Sequence, residues 1–122
     1  MSGIDYLADT NAVLYFLSGN ECMKPYVSSH FAFSVISEME LLSFPKITED
    51  EESRIRGFLD ASSCVVITDS IKNRTIELRR AYRIKVPDAI IAASAIESNL
   101  ALIIADTGFE RIKELRLELI AP

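Results

Sequence analysis

The sequence predicts an α/β fold, a three-layer α/β/α sandwich built on a central, mainly parallel sheet of about five strands. Apolar or β-branched runs recur at 4–8, 30–36, 65–68, 101–105 and 118–121. The segments between them carry helical periodicity and are long enough to return the chain for a parallel pairing, which a tight hairpin cannot do. Ala101 to Ala105 (ALIIA) is apolar without alternation, as in a strand covered on both faces.

The first strand, Ile4 to Ala8, ends in Asp9-Thr10-Asn11, and Ala12 to Leu17 follows at helical density before a Gly19-Asn20 stop. His30 to Ile36 (HFAFSVI) is aromatic and β-branched, and it runs into Ser37-Glu38-Met39-Glu40-Leu41-Leu42. The Ser-x-x-Glu spacing of Ser37 and Glu40 predicts a capping box at the start of that helix. Phe44-Pro45-Lys46 punctuates the chain before a helix over Thr48 to Leu59, with a threonine cap, an acidic first turn and Ile55, Phe58 and Leu59 on one face.

Val65 to Thr68 is the third predicted strand, and Asp69 or Ser70 is expected to cap a helix from Ile71 to about Arg83. Pro87 and Asp88 open the next helix, Asp88 to about Ser98, closed by Asn99. It is apolar almost all round, so it belongs in the interior or against a second subunit. The fourth strand ends at Asp106, a short helix is expected from Gly108 to Leu115, and a last strand covers Glu118 to Ala121.

The 122 residues, 49 % of them hydrophobic, suffice for one core without covalent staples, and no repeat, linker or low-complexity tract divides residues 1–122. Cys22 and Cys64 lack any metal-ligand or disulfide-framework spacing and read as buried or inert thiols in a reducing cytoplasm. The N-terminus carries no basic leader, and no apolar run approaches the roughly 18 residues a membrane span needs. The expectation is a cytoplasmic protein with no membrane contact. The formal charge of −5 excludes a generic basic nucleic-acid surface, so any work on nucleic acid needs a metal, a partner or a second subunit to offset the acidity.

In an open parallel sheet the carboxyl ends of the strands share one edge, where ligands bind. Asp9 and Asp106 follow strands, Glu40 lies in the first turn of the helix after the second strand, and Asp88 begins the helix leading into the fourth. Carboxylates gathered there repel one another and resist ionisation unless a cation is present. An all-oxygen set without histidine or cysteine favours Mg²⁺, or Mn²⁺, over zinc. Such an ion polarises a phosphodiester and activates water, and two ions about 3.5–4 Å apart would share the work. Thr10 and Asn11 are placed to hold a water or a phosphate oxygen.

Each acid also has a plain structural explanation. Asp9 can cap the first helix, Glu40 can complete the capping box of Ser37, Asp88 suits a helix N-terminus, and Asp106 can cap the turn before Gly108. Asp69 follows a strand too and reads as a cap. Arg79 to Lys85 is the one basic stretch, either a solvated helix face or a guide for phosphate. His30 has no evident catalytic partner.

Asp9-Thr10-Asn11, Ser37-Glu38-Met39-Glu40-Leu41, Asp88-Ala89-x-Ile91-Ala92-Ala93 and Ala105-Asp106-x-x-Phe109, in this order, resemble the PIN domain, in particular the short VapC toxins of bacterial toxin–antitoxin pairs. The resemblance implies a PIN-like sandwich and a Mg²⁺-dependent endoribonuclease. By it, Asp9, Glu40, Asp88 and Asp106 are the metal-binding and catalytic acids, with Thr10 or Asn11 as polar companion. It also implies a homodimer and an antitoxin partner that inserts a segment near the site. Ser37 stands where the family often has threonine, and Ala105 where relatives often carry a polar or basic residue. A housekeeping PIN nuclease in RNA processing and a catalytically inactive PIN-fold binding module are the alternatives. A response-regulator receiver is disfavoured because Asn11 is not an acid and no lysine follows Ile120.

Overall fold

The computed structural model describes residues 3–122, and its centre is a five-stranded sheet in the order β3-β2-β1-β4-β5 with every pairing parallel. The strands are β1 (Tyr6–Ala8), β2 (Phe31–Ser34), β3 (Ser63–Val65), β4 (Ala101–Ile104) and β5 (Leu117–Leu119). The helices are α1 (Thr10–Leu17), α2 (Val35–Leu42), α3 (Glu49–Ala61), α4 (Asp69–Ala81) and α5 (Val86–Glu97). Two 3-10 stretches, Glu21–Tyr26 and Thr107–Arg111, complete the order.

The sheet separates two hydrophobic layers, and strand side chains alternate between them. Leu7, Ala32, Leu102 and Ile104 face the layer of α4 and α5, with Ile71, Leu78, Ile91 and Phe109. Ala8, Phe31, Phe33 and Ile103 face the other side, where Val13, Leu41, Ile55 and Phe58 come from α1, α2 and α3. The period of two seats neighbouring residues of one strand in opposite cores, so β4 reads as an unbroken apolar run.

The three-layer prediction holds, and the sheet is wholly rather than mainly parallel. Several boundaries differ. β2 stops at Ser34 because its hydroxyl accepts the Ile36 amide and starts α2, so Val35 and Ile36 are helical despite their branching. The predicted capping box of Ser37 and Glu40 does not form, since both residues lie inside the helix. β3 lies at 63–65 rather than 65–68, and the cap of α4 is Thr68, whose hydroxyl accepts the Ile71 amide, rather than Asp69 or Ser70. Asp69 is instead an exposed first-turn acid, 3.6 Å from Lys72 Nζ. α4 stops at Ala81 and α5 starts at Val86, with Pro87 in its first turn. The helix expected at Gly108 to Leu115 is the short 3-10 stretch, and Glu21–Tyr26 was not anticipated.

α5 was expected in the interior or against another subunit, and the interior is correct. Ala89, Ile91, Ala92, Ala93, Ser94 and Ala95 are buried, and Ser94 donates its hydroxyl to the Ile90 carbonyl at 2.7 Å. Arg74 Nε of α4 lies 2.9 Å from Glu97 Oε2 of α5, tying the pair outside the core. Cys22 and Cys64 are both free thiols, Cys22 partly buried and Cys64 exposed on the edge strand β3 rather than buried. Among the described residues no helix is long and apolar enough to cross a membrane.

Candidate active site

The sheet order makes the site. From β1 the chain builds outward through β2 and β3 on one side and through β4 and β5 on the other, so the crevice between the two directions opens at the carboxyl ends of β1 and β4. Asp9 follows β1 directly, and Asp106 lies just beyond β4. Asp88 sits in the first turn of α5. Glu40 is in the second turn of α2 rather than the first, because α2 begins earlier than its sequence suggests. A cleft of about 450 Å³ at this edge is lined by Asp9, Thr10, Asn11, Glu40, Asp88 and the Ser43-Phe44-Pro45 loop.

Asp9 is the deepest of the acids, 9 % exposed. It caps α1, its Oδ1 accepting the Ala12 amide at 2.8 Å. Burial nevertheless pushes its carboxyl up to about 6 against that stabilising hydrogen bond, and the charges of Asp88, Glu40 and Asp106 add to the rise. The Asp88 carboxyl is also raised, first by burial and then by Asp106 and Glu40, while Lys85 opposes the shift. Asp88, Glu40 and Asp106 therefore all lie within electrostatic reach of Asp9.

They do not close on a common point. Among the described residues no three Asp, Glu, His or Cys side chains are near enough together to hold an ion. Each of three acids is instead tied to a local donor. Asp9 takes the Ala12 amide, Glu40 Oε1 takes the Thr10 hydroxyl at 2.6 Å, and Asp106 Oδ1 takes the Gly108 amide at 2.8 Å. Gly108 permits the last of these bonds, since a Cβ there would stand 3.0 Å from Asp106 Oδ1. Asp106 is exposed and does not line the cleft, so it acts from beside it.

A polar chain that the sequence reading missed runs beneath Glu40. Thr10 Oγ1 is 2.9 Å from Ser37 Oγ and 2.6 Å from Glu40 Oε1. A carboxylate only accepts, so the single Thr10 proton goes to Glu40 and the buried Ser37 hydroxyl donates to Thr10. Ser37 thus orients Thr10, and Thr10 fixes Glu40. The spacing of Ser37 and Glu40 was visible in the sequence but was assigned to a cap. Asn11 is exposed at the cleft, with no fixed role among these bonds. Glu38 faces away, close enough to Cys64 and Arg56 to perturb both.

The donor set is all oxygen, with two carboxyls raised by crowding and burial, and this chemistry fits a hard divalent cation. Asp9 and Asp88, with Glu40 and Asp106 beside them, are the residues that would hold it.

Comparison with known proteins finds this fold in chains of toxin–antitoxin complexes. A chain of a toxin–antitoxin complex from Klebsiella pneumoniae is 31 % identical, with a TM-score of 0.78 over 91 % of this chain and 95 % of that one. A chain of the VapBC2 complex from Rickettsia felis, solved bound to a promoter DNA fragment, shares the fold at 24 % identity, TM-score 0.80, over 97 % of this chain and all of that one. The DNA-bound VapBC complex from Salmonella typhimurium contains the same fold at 20 % identity, TM-score 0.81, over 94 % of this chain and 97 % of the other. No curated protein matches by sequence. The model of the PIN domain matches residues 6–115, and the chain therefore belongs to the PIN-domain family.

Proposed function

We propose that this protein is a divalent-metal-dependent endoribonuclease, the VapC-like toxin of a toxin–antitoxin pair, acting in the cytoplasm as a single PIN domain. The observation that carries this reading is Asp9, buried at the carboxyl edge of the sheet with its carboxyl raised to about 6 in reach of Asp88, Glu40 and Asp106. A site that crowds acids in this way loses stability in their charged form, and a cation offsets the loss. PIN domains are in general nucleases, which supports hydrolysis of a phosphodiester over simple ion storage.

Mg²⁺, or Mn²⁺ in its place, would supply the positive charge that offsets the acids and polarises a phosphodiester. The protein's own groups do the rest. Asp9 and Asp88 line the cleft and would be the primary ligands of the ion, while Glu40, fixed by Thr10, and Asp106 beside the cleft would complete the acidic set. Glu40 is positioned to orient an attacking water and accept its proton. Asn11 offers amide donors to a phosphate oxygen at the mouth.

The partner reading follows from the relatives, several of which are toxin–antitoxin complexes. The likeness supports an antitoxin as the partner of this chain. Homodimerisation finds no support in the buried face of α5, whose first residues nonetheless reach the surface. It finds support in a groove of about 560 Å³ between α4 and α5, lined by Ile67, Ile76, Val86 and Ile90, of which Ile67, Ile76 and Val86 are exposed. A strictly monomeric species in light scattering at micromolar concentration would remove the dimer.

The deciding experiment incubates purified protein with a mixed pool of structured RNAs, in Mg²⁺ or in EDTA, beside Asp9→Asn. Discrete cuts that require both Mg²⁺ and Asp9 are expected. Cuts that persist in EDTA or in the variant would refute the site. A thermal shift with Mg²⁺ in the wild type, reduced in Asp9→Asn, is the accompanying binding readout.

A further inference from the structure

We infer that Phe44 is a stacking platform for an unpaired nucleobase of the RNA in the cleft. The inference rests on the nuclease reading above and deepens it.

Phe44 is 46 % exposed, yet it lines the acidic cleft together with Asp9, Glu40 and Asp88. Nearly half of a large apolar ring is thus left in water beside a set of carboxylates. The loop that presents it is also held in a defined shape. Pro45 and Lys46 are the middle residues of a turn in which the Ile47 amide donates to the Phe44 carbonyl at 3.3 Å, and Lys46 has φ +65°. Proline second and a positive φ third describe a type II turn, so the ring's backbone is set before anything binds. Pre-set aromatic rings are what single-strand binders offer to bases, because every base has a π-face.

The surrounding charge agrees with RNA as the occupant. The floor of the cleft is acidic and repels phosphate, so a backbone must be held at the rim. Lys46 is exposed beside the ring and lines the adjoining hollow. Lys85 is exposed on the Asp88 side and close enough to lower that carboxyl's shift. Among the described residues neither lysine forms an ion pair, so both are available to phosphate. A ring flanked by a cation, with a second cation across the acids, places a base on Phe44 and its phosphates over the rim. A stacked duplex has no base free to occupy the ring.

The test uses the absence of tryptophan from the chain, so that Phe44→Trp installs the only indole. In an Asp9→Asn background with Mg²⁺, which prevents cutting, a single-stranded oligouridylate should quench the indole saturably and a matched duplex should not. Phe44→Ala should weaken binding of the labelled oligonucleotide, measured by anisotropy, by roughly five- to a hundred-fold, the range for removing one base–aromatic stack. Phe44→Trp should restore it. In the Asp9 background Phe44→Ala should raise KM for single-stranded RNA more than it lowers kcat. Oligonucleotide bound with the indole unquenched, or bound equally well by Phe44→Ala, would overturn the proposal while leaving the nuclease reading intact, and the ring would then belong to a protein contact. Wild-type protein that neither binds nor cuts any RNA would overturn both.

Discussion

Replacing Asp9 with asparagine should make the protein more stable at neutral pH while removing its activity. Burial and three neighbouring acids lift the Asp9 carboxyl from 3.8 to about 6. At about 1.4 kcal/mol per unit, the charged form costs the folded state up to about 3 kcal/mol. Asparagine keeps an oxygen that can accept the Ala12 amide, so the cap of α1 persists, but it gives up the favourable charge at the helix N-terminus, worth about 0.3–1 kcal/mol. The expected net gain is about 2 kcal/mol, or roughly 6–10 °C in Tm for a chain of this size.

The sign of the pH dependence follows from the direction of the shift. Between the unfolded value near 4 and the folded value near 6, the native state holds the proton more tightly, so wild-type stability from this group falls as pH rises through that window. Urea titrations in EDTA, followed by far-UV circular dichroism at about pH 7.5 and about pH 4, should show a large difference between the two proteins at the higher pH and almost none at the lower. An asparagine variant no more stable at neutral pH, or equally favoured at both, would refute the crowded-acid account.

Thr10→Val should leave Ser37 Oγ buried without its partner, costing about 1–2 kcal/mol, and should release Glu40 so that RNA cutting falls at least about ten-fold, while Thr10→Ser restores both. Thr48→Ala removes the reciprocal capping of α3, in which Thr48 Oγ1 accepts the Glu51 amide and Glu51 Oε1 accepts the Thr48 amide, and should cost about 1 kcal/mol in urea titration without changing cleavage. Lys46→Gly relieves a positive φ and should gain about 0.5–1 kcal/mol in thermal unfolding, since glycine tolerates that conformation.

The layer architecture was legible because each strand is short, apolar and followed by a helical segment, and those signals are local. So was the placement of Asp9 and Asp106 at one edge of the sheet, which needs only that strand ends share that edge. Element boundaries were less legible where two local rules competed. Val35 and Ile36 look like strand, but the Ser34 hydroxyl turns them into helix, and that one displacement moved Glu40 from the first turn to the second. Thr68 and Asp69 are both good caps, and which one acts depends on where the β3 edge releases the chain. The path from Ser37 to Thr10 joins residues far apart in the chain, so no spacing rule could reveal it. Asp9 and Asp106 were offered a capping role or a site role, and the structure gives each its cap within an acidic neighbourhood, so the two roles were never exclusive.

The parallel sheet also governs when the site comes into being. Residues 6 to 8 of β1 pair on one side with 101 to 103 of β4, so the central strand is incomplete until residues 101 to 103 have been made. Folds dominated by such distant pairings assemble slowly, because loop closure must precede the contacts that reward it. During synthesis Asp9 emerges before Asp88, Asp88 before β4, and Asp106 only after β4. A ribosome-held fragment ending before residue 101 has the β1 and β2 halves of the sheet but no β4 wall, and so no crevice. In this order of assembly the acidic crevice appears only once β4 has joined the sheet.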